Sequence, residues 1–554
     1  MLKELLEKGY FPPELPVTFT TSTYAAAICS PALPVAYPFT YDKKGSKHNS
    51  KCAVFNLARR GKLRRVLSVP NPVNYYHSAK SIADNWVDIE AHYTKSDQSL
   101  SKPVVDTSRA LGWEKGFSKL SDSKLKTRTA SKYILKADIS NFYPSIYTHS
   151  IPWALHTKAV AKSSFAFSAN IGNQIDAHVR NCQEMQTKGI PIGPDTSFVI
   201  AEIIMTAIDE MLVPVVGNKY HRYIDDFEFG CSSLQQAETT LARLQETLEH
   251  FELALNSSKT KIIELPCTLD PIWIHELKNF KFRNGKTQQK NDFLHYFDLV
   301  MDFLDKYPDE PIVKYAILRS SSRLVYASNW PAYQSIILQW SIAEPGILPI
   351  ALDFIKFYES KGFTIDKVEL KETLKFLIAE HSPMGHTSEV AYAIFGMILF
   401  NLTFSDATVD ILSEIENPFI ALLVLDAQRQ DFISSTYKFS LWESLMTPAE
   451  LKTSNWLLAY EALVKGWLPS ATGVDYVSSD DGFKYLQAQN VRFYDTNAIA
   501  LYTPADKYWA LKDITSEQLS YVIEPSNDMV KMNAIKSLTK NRADHKSRAD
   551  LSWI

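Results

Sequence analysis

Apolar positions fall into two textures along the chain. As far as about residue 282, short apolar or aromatic runs alternate with clusters of Gly, Pro, Asn and Ser, the pattern of strands and hairpins interleaved with helices. From about 292 to 470, helical runs follow one another, among them DFLHYFDLVMDFLDKY, GILPIALDFIKFYESKG and EVAYAIFGMILFNL. Each has apolar residues near i, i+3, i+4 and i+7 and ends in a Pro, Gly, Asn or Ser break. Pairs recur roughly every 40 residues, which suggests stacked helical hairpins of the HEAT-like kind, although no sequence repeat is visible. The polar stretch FRNGKTQQKN (282–291) breaks the periodicity between the two textures. The expected organisation is an N-terminal extension (1–50), an α+β unit with an antiparallel sheet (51–282), an all-α unit (283–470) and a mixed C-terminal segment with a basic tail (471–554).

Within the α+β unit, an apolar strand runs into Asp138 and is stopped by Ser140-Asn141, Phe142-Tyr143 and Pro144. Residues 189–194, GIPIGP, make a rigid open loop, and Asp195, Thr196 and Ser197 are candidate N-caps for the apolar helix after it. KYHRYIDDFEFG (219–230) reads as a hairpin with Asp225 and Asp226 at its tip. An amphipathic helix over about 234–252 follows, then a turn carrying Lys259 before a β-like run, then a short hairpin over 271–282.

Composition narrows the field modestly. A chain of 554 residues with 45% apolar and 22% charged residues is ordinary globular material. The formal net charge is -3, so any nucleic-acid binding must come from local patches. The densest patch is Arg59, Arg60, Lys62, Arg64 and Arg65 around Gly61, where a turn between strands would gather the charges into a phosphate grip; a solvated face is the plain alternative. The 5 Cys are scattered without a CxxC pair, which fits a reducing compartment and argues against a zinc ribbon or a disulfide scaffold. The opening MLKELLEKGYFPPELP lacks the apolar core of a signal peptide, and no apolar run approaches the ~18–20 residues of a membrane span, so a cytoplasmic location with no membrane partner is expected.

Adjacent acids at a hairpin tip repel one another. They are a poor structural device unless a divalent cation sits there, although a solvated turn would also hold them. Asp138 on its strand, the Gly/Pro loop leading to a helix, and the YIDD hairpin occur in that order after a basic β-rich segment. That order resembles the palm and fingers of reverse transcriptases. DISNFYPSIYTHSIPWAL, GIPIGPDTSFVIAEI, YIDDF and LNSSKT are similar to the bacterial abortive-infection and other defence-associated reverse transcriptases, over roughly residues 50–282 and more loosely over the helices beyond.

The resemblance implies nucleotidyl transfer with two Mg²⁺ ions, or Mn²⁺ in their place, held by Asp138, Asp225 and Asp226, with Asp226 either a ligand or an electrostatic support. It places Tyr143 under the sugar 2′ position, Arg65 on the triphosphate with Lys62 as a second candidate, and Gln186, Gly189, Pro191 and Gly193 along the nascent pair. Tyr223 joins the substrate-binding set, and Lys259 would protonate the leaving pyrophosphate. The implied partners are deoxynucleoside triphosphates and further copies of the chain. In that family DNA can be started on a tyrosine of the protein, without an external template, and serves antiphage defence. Two other readings stay open: an enzyme copying a dedicated noncoding RNA, and a non-catalytic scaffold with a polymerase-like fold. No HNH-like cluster, RNase H set of acids or maturase-type thumb is visible, so mobility as a retroelement is not expected.

Overall fold

The computed structural model describes residues 1–30, 48–59, 63–114, 119–283, 285–321 and 324–502. Eight strands lie among them. β1 (Ala53–Ala58) and β2 (Arg64–Val69) form an antiparallel ribbon, and β3 (Pro103–Val105) and β4 (Leu111–Trp113) form a second, shorter one. β5 (Tyr133–Asp138), β6 (Tyr220–Tyr223), β7 (Asp226–Cys231) and β8 (Lys261–Glu264) form an antiparallel sheet in the order β6-β7-β5-β8. The central strand β5 therefore takes both its partners from much later in the chain.

The sheet has an apolar and a polar side because side chains alternate along each strand. Leu135 and Phe229 are opposite each other in register and buried, and helix Leu234–His250 packs over β5 and β7. On the other side Lys136 faces Glu228, which Arg128 holds at 2.9 and 3.1 Å. Helix Asp195–Val216 is buried along most of its length and ends at Gly217 with φ +79°, a left-handed position suited to glycine.

The later helices pack around Thr387–Leu399, every residue of which is buried. It touches Lys367–His381, Leu348–Ser360, Pro418–Arg429 and strand β1. The β1-β2 ribbon is thus clamped onto the helices. Arg64 is ion-paired with Glu389, the Ala58 N–H donates to the Ser388 hydroxyl (2.8 Å), and Asn417 Nδ2 donates to the Val54 carbonyl (3.0 Å). Helix Lys286–Lys306 begins inside the polar stretch 282–291, and one apolar core runs across it. The first residues also belong to this body. Tyr10 stacks on Tyr75 at 4.0 Å, Phe19 bridges to Tyr494, and the Thr20 N–H donates to the Phe493 carbonyl.

Two local expectations are corrected. PIWIHELKNFKF is not a hairpin: Ile272–Asn279 is a helix, because Trp273 and Leu277, four apart, are the pair that is buried. Asp195, Thr196 and Ser197 do not cap their helix, which starts at Asp195 itself after Pro194; the Asp195 carboxylate is used instead by Arg109 and the Leu111 N–H. Among the described residues no helix is long and apolar enough to cross a membrane.

Gly230 of β7 has no room for a side chain: a Cβ there would sit 2.1 Å from the Thr127 carbonyl oxygen and 2.6 Å from Ser131 Oγ. Gly230→Ala is expected to cost at least ~1–3 kcal/mol of stability by overpacking, read from urea denaturation.

Candidate active site

The site lies at one end of the four-stranded sheet. Asp138, the last residue of β5, stands opposite Asp226, the first of β7, and Ile224-Asp225 make the two-residue turn between β6 and β7. Three carboxylates from two distant stretches therefore meet at the ends of adjacent strands. The turn is strained: Ile224 has φ +54°, a left-handed conformation that a β-branched residue rarely adopts. Two hydrogen bonds hold it. The Ile224 N–H donates to Ser101 Oγ (2.9 Å), and Arg222 donates to the Ile224 carbonyl (2.9 Å).

Arg222 is wholly buried beneath the turn. Its guanidinium meets Glu202 at 2.9 and 3.1 Å and Asp209 at 2.7 and 3.0 Å, both on helix Asp195–Val216. Tyr220 and Ser96 donate their hydroxyls to Asp209 (3.0 and 2.6 Å), and the backbone of Arg222 pairs with Gln98 and Leu100. Burial works against the charge on Arg222, but Asp209 and Glu202 outweigh it and push its pKa up, so it stays a cation.

Asp138 is buried and has its own cradle. Lys259 Nζ lies 2.7 Å from Oδ2, and Asn256 Nδ2 donates to Oδ1 at 3.0 Å. The Asn256 N–H also donates to the Asp138 carbonyl, and Asn256 Oδ1 accepts from the Ser258 N–H and hydroxyl. LNSSKT is therefore an Asx-turn that aims Lys259 at Asp138.

The acids are short of compensating charge. Burial, then repulsion from Asp138, pushes Asp225 up to about 6, with Lys259 and Arg65 pulling the other way. Asp226 opens toward solvent at its edge, yet burial by the surrounding walls and repulsion from Asp225 and Asp138 also raise it. The three carboxylates are not gathered as tightly as a loaded site: among the described residues they do not form a set with donor atoms all within 4.8 Å. Oxygen-only donors, excess negative charge and raised carboxyl pKa values fit a hard divalent cation.

The remaining candidates fall around this cluster in different ways. Arg65 is exposed on β2 and acts on Asp225 and Tyr143 through its charge. Arg59, just after β1, is lowered by burial and by Arg65 against the pull of Asp225 and Asp138, so two guanidiniums lie near the acids. Lys62 lies outside the described residues. Tyr143 is half-buried, its hydroxyl raised by burial and then by Asp225, and its carbonyl accepts from the Ile190 N–H (3.1 Å). Tyr223 packs near Trp113, with ring centroids 6.1 Å apart.

The Gly/Pro loop is used differently from a bare substrate platform. Gly189 (φ +84°) is pressed against Pro144, whose carbonyl oxygen a Cβ would meet at 3.2 Å; Gly193 (φ +127°) is pressed against Pro12 Cγ at 2.5 Å. The close approaches these glycines permit are therefore to the chain itself. Pro191 is buried, and Gln186 is exposed with its carbonyl accepting from Gln183. The loop still borders the site through the Ile190–Tyr143 bond and through the Ser68 N–H, which donates to the Ile192 carbonyl (2.8 Å).

Three contributors escaped the sequence reading. Asn256 was within reach, since Asn-Ser-Ser is an Asx-turn composition. Arg222 and Ser101 had no local signal, because their partners are remote in sequence.

Residues 69–296, less than half of the chain, match the reverse transcriptase (RNA-dependent DNA polymerase) family. That segment holds all three carboxylates and Lys259. No curated protein matches the chain. Among solved structures, it is similar to telomerase from Candida albicans in complex with the TWJ fragment of telomeric RNA (10% identity, 56% of this chain and 60% of that chain, TM-score 0.29). It is also similar to apo telomerase from Candida tropicalis (13% identity, 71% and 70%, TM-score 0.31). The chain spans less than two thirds of the first, and at these TM-scores neither likeness bears on its architecture.

Arg222→Met leaves Glu202 and Asp209 buried without their cation, and is expected to cost ~3–5 kcal/mol in chemical denaturation. A second outcome follows from the raised carboxyls. A folded pKa above the unfolded value favours folding fully at low pH, and the advantage is lost as pH rises through the folded pKa. Without divalent ions the protein should therefore lose stability between about pH 4 and pH 7. Mg²⁺ should restore it increasingly over the same window, and Asp225→Asn should flatten both trends in melting curves taken with EDTA or Mg²⁺.

Proposed function

We propose that the chain is a DNA polymerase of reverse-transcriptase type that adds deoxynucleotides at the carboxylate end of its sheet. The observation that carries this is the pairing of Asp138 with Asp226 in register, beside Asp225, with Lys259 reaching the same carboxylate. Asp138 and Asp225 would hold two Mg²⁺ ions, or Mn²⁺, with Asp226 as ligand or electrostatic support. When bound, such ions offset the negative charge that builds on the attacking and leaving oxygens.

The protein's own groups have separate tasks. Arg65 and Arg59 draw the triphosphate in, and a guanidinium suits bidentate contact with phosphate. The ring of Tyr143 fills the space a 2′-hydroxyl would need. Lys259, a cation whose pKa burial lowers but Asp138 raises further, hands a proton to the leaving pyrophosphate once it lets go of Asp138.

The finer reading rests on DISNFYPSIY, GIPIGPDTSF and LNSSKT, which resemble the abortive-infection group. In it the enzyme serves antiphage defence, starts DNA on one of its own tyrosines, and uses its later helices as a HEAT-like stack that joins copies of the chain.

Incubation of the purified protein with labelled deoxynucleotides and Mg²⁺, followed by a denaturing gel, tests both levels. Label running with the polypeptide supports protein priming; free labelled DNA supports the polymerase and removes that priming; no label at all removes the polymerase. Asp225→Ala is expected to fold normally by circular dichroism and incorporate nothing. Tyr143→Ala should raise ribonucleotide use relative to deoxynucleotide use by about 10-fold or more, and unchanged sugar selectivity would sink the gate.

A further inference from the structure

We infer that His381, His386 and Glu389 form a binding site for one zinc-class transition-metal ion at the seam between the β1-β2 ribbon and the later helices. This site is separate from the carboxylates of the polymerase and asks for different chemistry, imidazole nitrogen in place of carboxylate alone.

Local structure brings the three together. Helix Lys367–His381 ends at His381, a tight turn through Gly385 (φ +64°) reverses the chain, and Thr387–Leu399 begins just after His386. The His386 N–H donates to the His381 carbonyl, and the two rings lie 5.2 Å apart at 29°. Their Nδ1 atoms are 2.9 Å apart, and Glu389 Oε1 is 3.5 Å from that of His386 and 3.9 Å from that of His381. A point equidistant from these three atoms is about 2.0 Å from each, the length of a zinc–nitrogen or zinc–oxygen bond. Among the described residues this is the one set of three metal-ligating side chains whose donor atoms all lie within 4.8 Å.

Two further observations bear on a ligand. His381 is 8% exposed and its Nε2 has no hydrogen-bond partner among the described residues, a burial cost that an ion held at Nδ1 would offset. A cavity of about 310 Å³, bounded by Asn56, Val66, Gly385, His386, Val390 and Asn417, gives solvent a route to His386.

Arg64 is the competing partner of Glu389. Its Nη2 holds Oε2 at 2.8 Å, with Ser388 Oγ on the same oxygen at 2.6 Å, while Nη1 shares Oε1. The carboxylate can therefore turn one oxygen to an ion and keep the other on Arg64, as an outer-shell contact that orients the ligand. A hydrogen-bonded His-His-Glu-Arg cluster with no ion would use the same side chains, and the test must separate the two.

The full chain, stripped with chelator, is titrated with Co²⁺ in excess Mg²⁺, then with Zn²⁺. The expected result is the visible absorption of a nitrogen-ligated Co²⁺ at one ion per chain, displaced by Zn²⁺, with a Zn²⁺-dependent rise in melting temperature. His386→Ala and His381→Ala should lose the absorption and the melting shift; Asp138→Asn, which disables the polymerase site, should keep both. No absorption in the wild-type chain, or the same absorption in folded His variants, overturns the site and leaves a hydrogen-bonded cluster. The wild-type titration alone decides the matter if a variant does not fold.

Discussion

The buried Arg222 guanidinium is the contact on which the active end of the sheet depends. One cation sits under a strained turn and ties it to two carboxylates on the long helix behind. Ile224 would not keep a left-handed backbone unaided. It does so because its carbonyl is held by Arg222 and its N–H by Ser101, and Arg222 is in turn fixed by Glu202 and Asp209. A pair of well-packed apolar side chains could match such an ion network in stability. They could not hold a carbonyl, so the network's value lies in where it puts Asp225.

Above that foundation the electrostatics run the other way. Below the turn, charge is balanced inside the protein; at its tip, three acids face one lysine and two arginines that stand off on the ribbon. The asymmetry separates a scaffold from a site. Lys259 pairs with Asp138 and keeps that buried carboxylate satisfied.

The acids, the hairpin and the turn before β8 were legible in the sequence because each is written locally: alternating residues for strands, adjacent acids at a break, an Asn-Ser-Ser turn. The misreadings share a cause. PIWIHELKNFKF looks strand-like by composition, and only the partners of Trp273 and Leu277 make it a helix. Gly189 and Gly193 announced a close approach without saying to what, and the answers are Pro144 and Pro12. Arg64 and Arg65 are the same residue type one position apart. Alternation on β2 sends one to Glu389 among the helices and the other toward Asp225, a distinction that needs the neighbours on both sides.

Phe19 and Thr20 bridge to Tyr494 and Phe493, and Val69 accepts from the indole of Trp456. An early stretch and a late one are thereby stitched over the segment that matches the reverse transcriptase family, which is no cassette that could be lifted out whole. Cutting it free would bare buried Tyr75, now stacked on Tyr10, and strip the Val69 carbonyl of Trp456, so the fragment would carry a sticky apolar face.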